Sequence, residues 1–203
     1  MKFWKYGQVK AYIKAYQKRG FFQIRFPGGT SWDGKMNSVI LVAVFDSLGR
    51  LYFVVIPYDP KSSLVNEERN EIETKVGLAI RKLEKEVGLT ASPCDFKLIL
   101  VIVVDDNRSK GHEKHIKYFY LLEKFSGDLV NRENSSFLNT ETATPFLIPA
   151  PLLAKVIFRG HFPAFKKAIE KLHSRLTRND AELINLSIIK REELEKVIKN
   201  KRK

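Results

Sequence analysis

The segment from Glu71 to Val87 constrains this chain most. Ile72, Val76, Ala79, Ile80, Leu83 and Val87 recur three and four residues apart, the spacing that lines one face of an α-helix. Gly88 follows at once, where a left-handed cap ends such a helix. On both sides lie apolar runs of strand length: Ser38 to Phe45, Leu51 to Ile56, Phe96 to Val104 and Ile116 to Leu122. The first two, joined by Asp46-Ser47-Leu48-Gly49-Arg50, read as a β-hairpin. Phe96 to Val104 reads as a fully buried central strand, with Ile116 to Leu122 as its neighbour and a polar loop, Asp105 to His115, between them. Strands alternating with helices predict an α/β fold with helices flanking a mixed sheet.

The ends differ from this body. Val9, Tyr12, Ile13 and Tyr16 fall at helical spacing, while Lys10, Lys14 and Lys18 form a stripe on another face, so an amphipathic N-terminal helix is expected. Phe21 to Phe26 alternates weakly and runs into a turn at Pro27-Gly28-Gly29. Beyond the Pro-punctuated stretch Ala143 to Ile157, Phe162 to Leu176 reads as a helix with Phe165, Ile169 and Leu172 inward. Leu183 to Ile189, and then a second helical stretch reaching Lys203, form a basic tail. The organisation is therefore a basic extension over 1–37, a central domain over 38–176 and a basic appendage over 177–203.

Charge follows the same division. The net charge of +13 gathers at the ends: residues 1–25 contribute +7 with no acid, residues 190–203 contribute +4, and +2 remains for the rest. A near-neutral body with basic ends suits contact with a polyanion, and Lys10, Lys14, Lys18 and Arg19 are the residues expected to meet nucleic acid. The bland alternative is solubility. Trp4, Tyr6, Tyr12 and Tyr16 interleave with lysines as stacking platforms do, although docking of the helix on the body also accounts for them. One cysteine, Cys94, excludes an internal disulfide framework, and no apolar run approaches the length of a bilayer span. Both fit a soluble protein of a reducing compartment, and a cytoplasmic location without membrane contact is the expectation.

Within Glu67 to Leu89, the residues Glu73, Arg81, Leu83, Glu86, Gly88 and Leu89 stand in the register of the box G-x5-E-x7-R-E-U-x-E-E-x-G-U, where U is aliphatic. The chain thereby resembles the Nudix family of nucleoside diphosphate-X hydrolases over about residues 38–158. The resemblance implies a Nudix-like α/β/α sandwich, here with an N-terminal basic helix and a C-terminal helical tail. It also implies a helix whose carboxylates hold Mg2+ or Mn2+ against a diphosphate. Three positions depart from the box: its opening Gly is Glu67, and two of its carboxylates are Lys82 and Lys85. The family's Pro-Gly-Gly approach to the box would fall at Lys61 to Asn66, where there is no glycine, and Pro27-Gly28-Gly29 lies so far upstream that it reads as a decoy.

Positions 82, 85 and 86 share a helix face, so Lys82, Lys85 and Glu86 replace a charge of about −3 by +1. A protonated amine donates hydrogen bonds and cannot ligate a metal. Glu84 projects roughly 200° away from Glu86 around the helix and cannot chelate with it. In one reading, Lys82 and Lys85 contact phosphate oxygens in place of metals, with Glu86 positioning a lysine. In the other, the face is solvated and carries an ordinary Lys82 to Glu86 pair. Glu73, Arg81 and Glu86 are the catalytic candidates the resemblance leaves. Glu86 and Glu141, with Glu67 as a further carboxylate, are the metal candidates if hydrolysis survives.

Weaker constellations are His112-x-x-His115, which reads as a solvated loop rather than a zinc clip, and Asp105-Asp106 at a strand end, which fits an ordinary turn as well as a ligand. Neither a nucleophile elbow nor a P-loop occurs. The residues thus point to a Nudix-like domain that binds a nucleotide or RNA phosphate with hydrolysis impaired or absent, needing no cofactor. A metal-dependent pyrophosphohydrolase using a displaced acidic set is the second reading. The third is an interaction scaffold whose tail pairs with another copy or a protein partner.

Overall fold

The computed structural model describes residues 23–30, 35–58, 74–106, 113–129 and 144–200, together with Gly7 and Ala11. The expected N-terminal helix with Lys10, Lys14, Lys18 and Arg19 lies outside the described residues, as do Glu67, Glu73, His112 and Glu141.

Among the described residues, nine strands and four helices follow one another in the order β1 (Gln23–Arg25), β2 (Gly28–Thr30), β3 (Met36–Phe45), β4 (Leu51–Tyr58), α1 (Lys75–Val87), β5 (Leu89–Thr90), β6 (Lys97–Asp106), β7 (Glu113–Leu122), β8 (Ser126–Gly127), β9 (Phe146–Pro149), α2 (Ala150–Val156), α3 (Phe162–Leu172) and α4 (Arg178–Asn200). β3 and β4 form the expected antiparallel hairpin, paired from Ala43–Phe53 to Phe45–Leu51. Its turn is held by Asp46, whose Oδ1 accepts from the amides of Leu48 and Arg50, both at 2.9 Å. β7 joins the other edge of β3 in parallel and β6 pairs antiparallel with β7, which makes the sheet mixed.

β3 carries side chains buried on both faces, and this explains its unbroken apolar sequence. Val39, Leu41 and Ala43 enter one core with Phe53, Phe119, Phe165 and Ile169, roofed by α2, α3 and the first half of α4. Ile40 and Val42 enter the other with Val54, Ile56 and Leu122, roofed by α1 through Ala79, Leu83 and Val87. Two helical layers thus enclose the sheet, as expected. Phe53 is completely buried between Phe26 and Phe165, with ring centroids 5.7 Å away from it on either side. Burial of one such side chain contributes about 1.5–3 kcal/mol.

Three expectations need correction. The box helix begins at Lys75 rather than Glu71, because Thr74 is extended and its hydroxyl accepts from the Gly77 amide at 3.0 Å, an N-cap that fixes the start. Gly88, at φ 78°, ends it as expected and donates to the Glu84 carbonyl. Second, β6 is an edge strand, with β7 as its one strand neighbour among the described residues, and not a central strand. Its apolar run told of strand type but not of rank in the sheet, since periodicity cannot count neighbours. Third, the C-terminal segment is one helix from Arg178 to Asn200, not two stretches. Ile184 is buried in the core, and the buried Asp180 accepts the Leu51 amide at 2.9 Å, tying this helix to the hairpin. Arg191 also serves packing: it donates to the Ala154 carbonyl at 3.1 Å and lies over the Phe162 ring at 4.5 Å.

Candidate functional site

β3 and β4 pair only near their turn, and beyond it they diverge. β1 pairs with the far end of β4, at Tyr58 to Ile56, while β2 pairs with the start of β3, at Val39 to Asn37. Phe26 and Pro27 connect the two short strands, and the Pro27 carbonyl accepts from Ile40 at 2.8 Å. Pro27-Gly28-Gly29 is thereby inserted into the mouth of the hairpin, directly under α1.

Glycine is required at Gly28, and at Gly29 a side chain would displace a neighbour. Gly28 has φ 148°, and a Cβ there would lie 2.2 Å from the Ser38 carbonyl oxygen. A Cβ on Gly29 would lie 2.2 Å from Cε of Lys82, because the lysine stem runs across that glycine. Far upstream of the box in sequence, the tripeptide nonetheless lies against the box helix in the fold.

Glu86 stands beside the same turn. Its Oε2 accepts the Gly28 amide at 3.0 Å, and its Oε1 lies 3.6 Å from Arg25 Nη2. Lys82, one helical turn earlier, is only 8% exposed. At the start of α1 the Ser38 hydroxyl donates to the Lys75 carbonyl at 2.8 Å, and the Lys75 ammonium lies 4.6 Å from the centroid of the Tyr118 ring. The helix is therefore pinned along β2 and β3 at both ends, and Lys82 and Glu86 sit at fixed positions between. Lys82 and Glu86 come together at the glycine turn, whereas Lys85 and Glu84 are exposed. Arg81 is half-buried on the same helix.

One residue that the sequence did not single out supports the site from the opposite face. His161 is buried, and its Nδ1 accepts the Phe26 amide at 3.2 Å, which leaves the ring proton on Nε2. Its ring stacks on Phe26 at 5.8 Å and meets Phe119 and Phe158 edge-on. Burial, reinforced by the positive charges of Arg25 and Lys117, lowers its pKa to about 3, so it is neutral at physiological pH. Lys117, on the same face, is half-buried and has no ion-pair partner among the described residues, and burial pushes its pKa down. A lone histidine in the apolar stretch from Val156 to Phe165 was the available signal.

The donor set at α1 does not suit a divalent metal. Positions 82 and 85 present amines, and Glu86 is already engaged by an amide and a guanidinium. Among the described residues, no three His, Cys, Asp or Glu side chains gather within reach of one ion. Cationic groups dominate the mouth instead: Arg25 and Lys82 flank one carboxylate, and Lys75 lies farther along the helix.

No family model and no curated protein matches this sequence. Several solved structures are similar to it at low identity. The NUDIX domain of Shewanella oneidensis NrtR, complexed with ADP ribose, is 11% identical, with 80% of this chain and 97% of that one covered at a TM-score of 0.45. The Nudix hydrolase RenU from M. smegmatis is 14% identical over 75% of this chain and 99% of that one, with a TM-score of 0.43. A mutT/nudix family protein from Listeria innocua is 19% identical over 72% and 97%, with a TM-score of 0.40. The sheet enclosed by two helical layers is itself an α/β/α sandwich. In this sandwich α1 faces the sheet with Lys82 and Glu86 over the glycine turn. No helix among the described residues is long and apolar enough to cross a membrane.

Proposed function

We propose that this Nudix-like domain binds the phosphate of a nucleotide or RNA where α1 meets the Pro27-Gly28-Gly29 turn, and that it does so without metal-dependent hydrolysis. The observation that carries this reading is the buried lysine, Lys82, laid across Gly29 beside a carboxylate that is already committed to Gly28 and Arg25. Lys82, Arg25 and Lys75 make this face cationic, and a cationic face favours an anionic guest over a dication.

In this mechanism Glu86 has a positioning role. It holds the Gly28 amide and the Arg25 guanidinium on one carboxylate, so that turn and cation keep a fixed spacing. Lys82 supplies a point charge to a phosphate oxygen, and the glycines let backbone come close where a side chain would clash. Lys85, exposed, adds long-range attraction. For RNA, the basic segment with Lys10, Lys14, Lys18 and Arg19 would extend the contact along the backbone and give a steep salt dependence.

Calorimetric titration with ADP-ribose and with a short RNA, each in EDTA and again in millimolar Mg2+, tests the proposal. Equal affinity with and without metal is expected, weakened about tenfold or more in Lys82→Met, since the loss of one charge-assisted contact is worth that much. Binding that appears only with Mg2+ would favour the pyrophosphohydrolase reading, in which Glu73, Glu86 and Glu141 supply the metal site.

A further inference from the structure

The outer edge of the sheet is built unlike a protected edge. β6 runs Lys97-Leu-Ile-Leu-Val-Ile-Val-Val-Asp-Asp106, ten residues without proline and without a charge from Leu98 to Val104. Natural edge strands are normally short, charged or interrupted, because their unpaired amides and carbonyls otherwise recruit another strand. The one irregularity, a bulge between Leu98 and Leu100, sits at one end and leaves Leu100 to Asp106 in regular register. Leu100 and Ile102 pack inward against the core under α3, but Leu98, Val101 and Val103 on the other face are 52%, 45% and 60% exposed.

We propose that β6 is the dimerisation edge of this protein, pairing antiparallel with β6 of a second copy to make one continuous sheet. The strand's own charge pattern selects this occupant. Counted through their β7 partners, Lys97 (opposite Leu121) and Asp106 (opposite Glu113) stand four positions on either side of Ile102 (opposite Lys117). A two-fold axis through Ile102, perpendicular to the sheet, therefore sets Lys97 of each copy opposite Asp106 of the other. The same axis places Val101 beside Val103 of the second copy, and directly opposed residues project to the same face. Val101 and Val103, exposed in one copy, thus gain an apolar flank in the pair. The contact is isologous and closes at two copies, which ends growth that an open edge would propagate. Parallel pairing would instead bring like charges together at each end.

Sedimentation velocity of the full chain across a hundredfold range of concentration (roughly, to bracket micromolar affinities) reads the equilibrium directly. A monomer–dimer equilibrium is expected for the wild type. Val103→Lys, at a position already open to solvent, is expected to sediment as a monomer throughout while keeping the wild-type melting curve. Asp106→Lys is expected to weaken the dimer about tenfold or more by opposing Lys97 of the second copy, and Asp106→Lys with Lys97→Glu is expected to regain it. A wild type that is monomeric at every concentration, a Val103→Lys variant that dimerises normally, or a double reversal that fails to recover what Asp106→Lys lost would each overturn the proposal.

Discussion

The Gly28 amide donates to the Glu86 carboxylate at 3.0 Å across 58 positions of sequence, and this one bond fastens the glycine turn to the helix that carries the box. It gives Glu86 a positional task. Glu86→Gln keeps an oxygen acceptor for Gly28 but gives up the charge that faces Arg25, whereas Glu86→Ala leaves a buried amide unsatisfied. Chemical denaturation is expected to show the larger loss for Glu86→Ala, about 1–3 kcal/mol, as for a stranded buried donor. Equal stability of the alanine variant and the wild type would remove this bond from the account.

The two glycines are expected to separate stability from binding. Gly28→Ala forces a Cβ onto the Ser38 carbonyl in a backbone conformation that alanine avoids, and a loss of about 2 kcal/mol or more is expected in thermal or urea unfolding. Gly29→Ala meets only the flexible stem of Lys82. It should displace that lysine, weakening phosphate binding several-fold with a smaller effect on stability. If Gly29→Ala binds as the wild type does, Lys82 does not reach the ligand.

His161 gives the fold a pH dependence whose sign is fixed. Its pKa falls to about 3 in the folded protein, against 6.5 for the free side chain, so between these values the unfolded chain binds the extra proton. The stabilisation is complete above about pH 6.5 and declines by about 1.4 kcal/mol per pH unit as pH falls from there towards 3. Urea midpoints measured from pH 7 to pH 4 should drop accordingly, and His161→Asn, which retains an acceptor for Phe26, should flatten this part of the profile. An unchanged slope in that variant would assign the pH dependence to other groups.

Asp180 joins the last helix to the hairpin through the Leu51 amide. Asp180→Ala is expected to cost about 1–3 kcal/mol, because the buried amide would lose its acceptor. A wild-type unfolding midpoint in this variant would show that the helix is anchored by packing around Ile184 alone.

Much of the fold was legible in the sequence because local pattern and tertiary role coincide there. The hairpin from Ser38 to Ile56 alternates between two cores, and Ala79, Leu83 and Val87 sit at the spacing that a buried helix face requires. The rank of β6 was not legible, since Leu98 to Val104 is as apolar as a central strand while covered on one side only. The site divides in the same way. Lys82 and Glu86 were found from spacing on one helix, but their neighbours Gly28, Gly29 and Arg25, and His161 beneath Phe26, come from chain segments that only the tertiary fold brings near. No periodicity within a single element encodes such a meeting.

Phosphorus NMR of the purified wild type incubated with ADP or a dinucleoside polyphosphate and millimolar Mg2+ addresses the central claim most directly. The account predicts ligand resonances that shift on binding and remain intact over hours. Steady, magnesium-dependent appearance of cleaved phosphate products would contradict it.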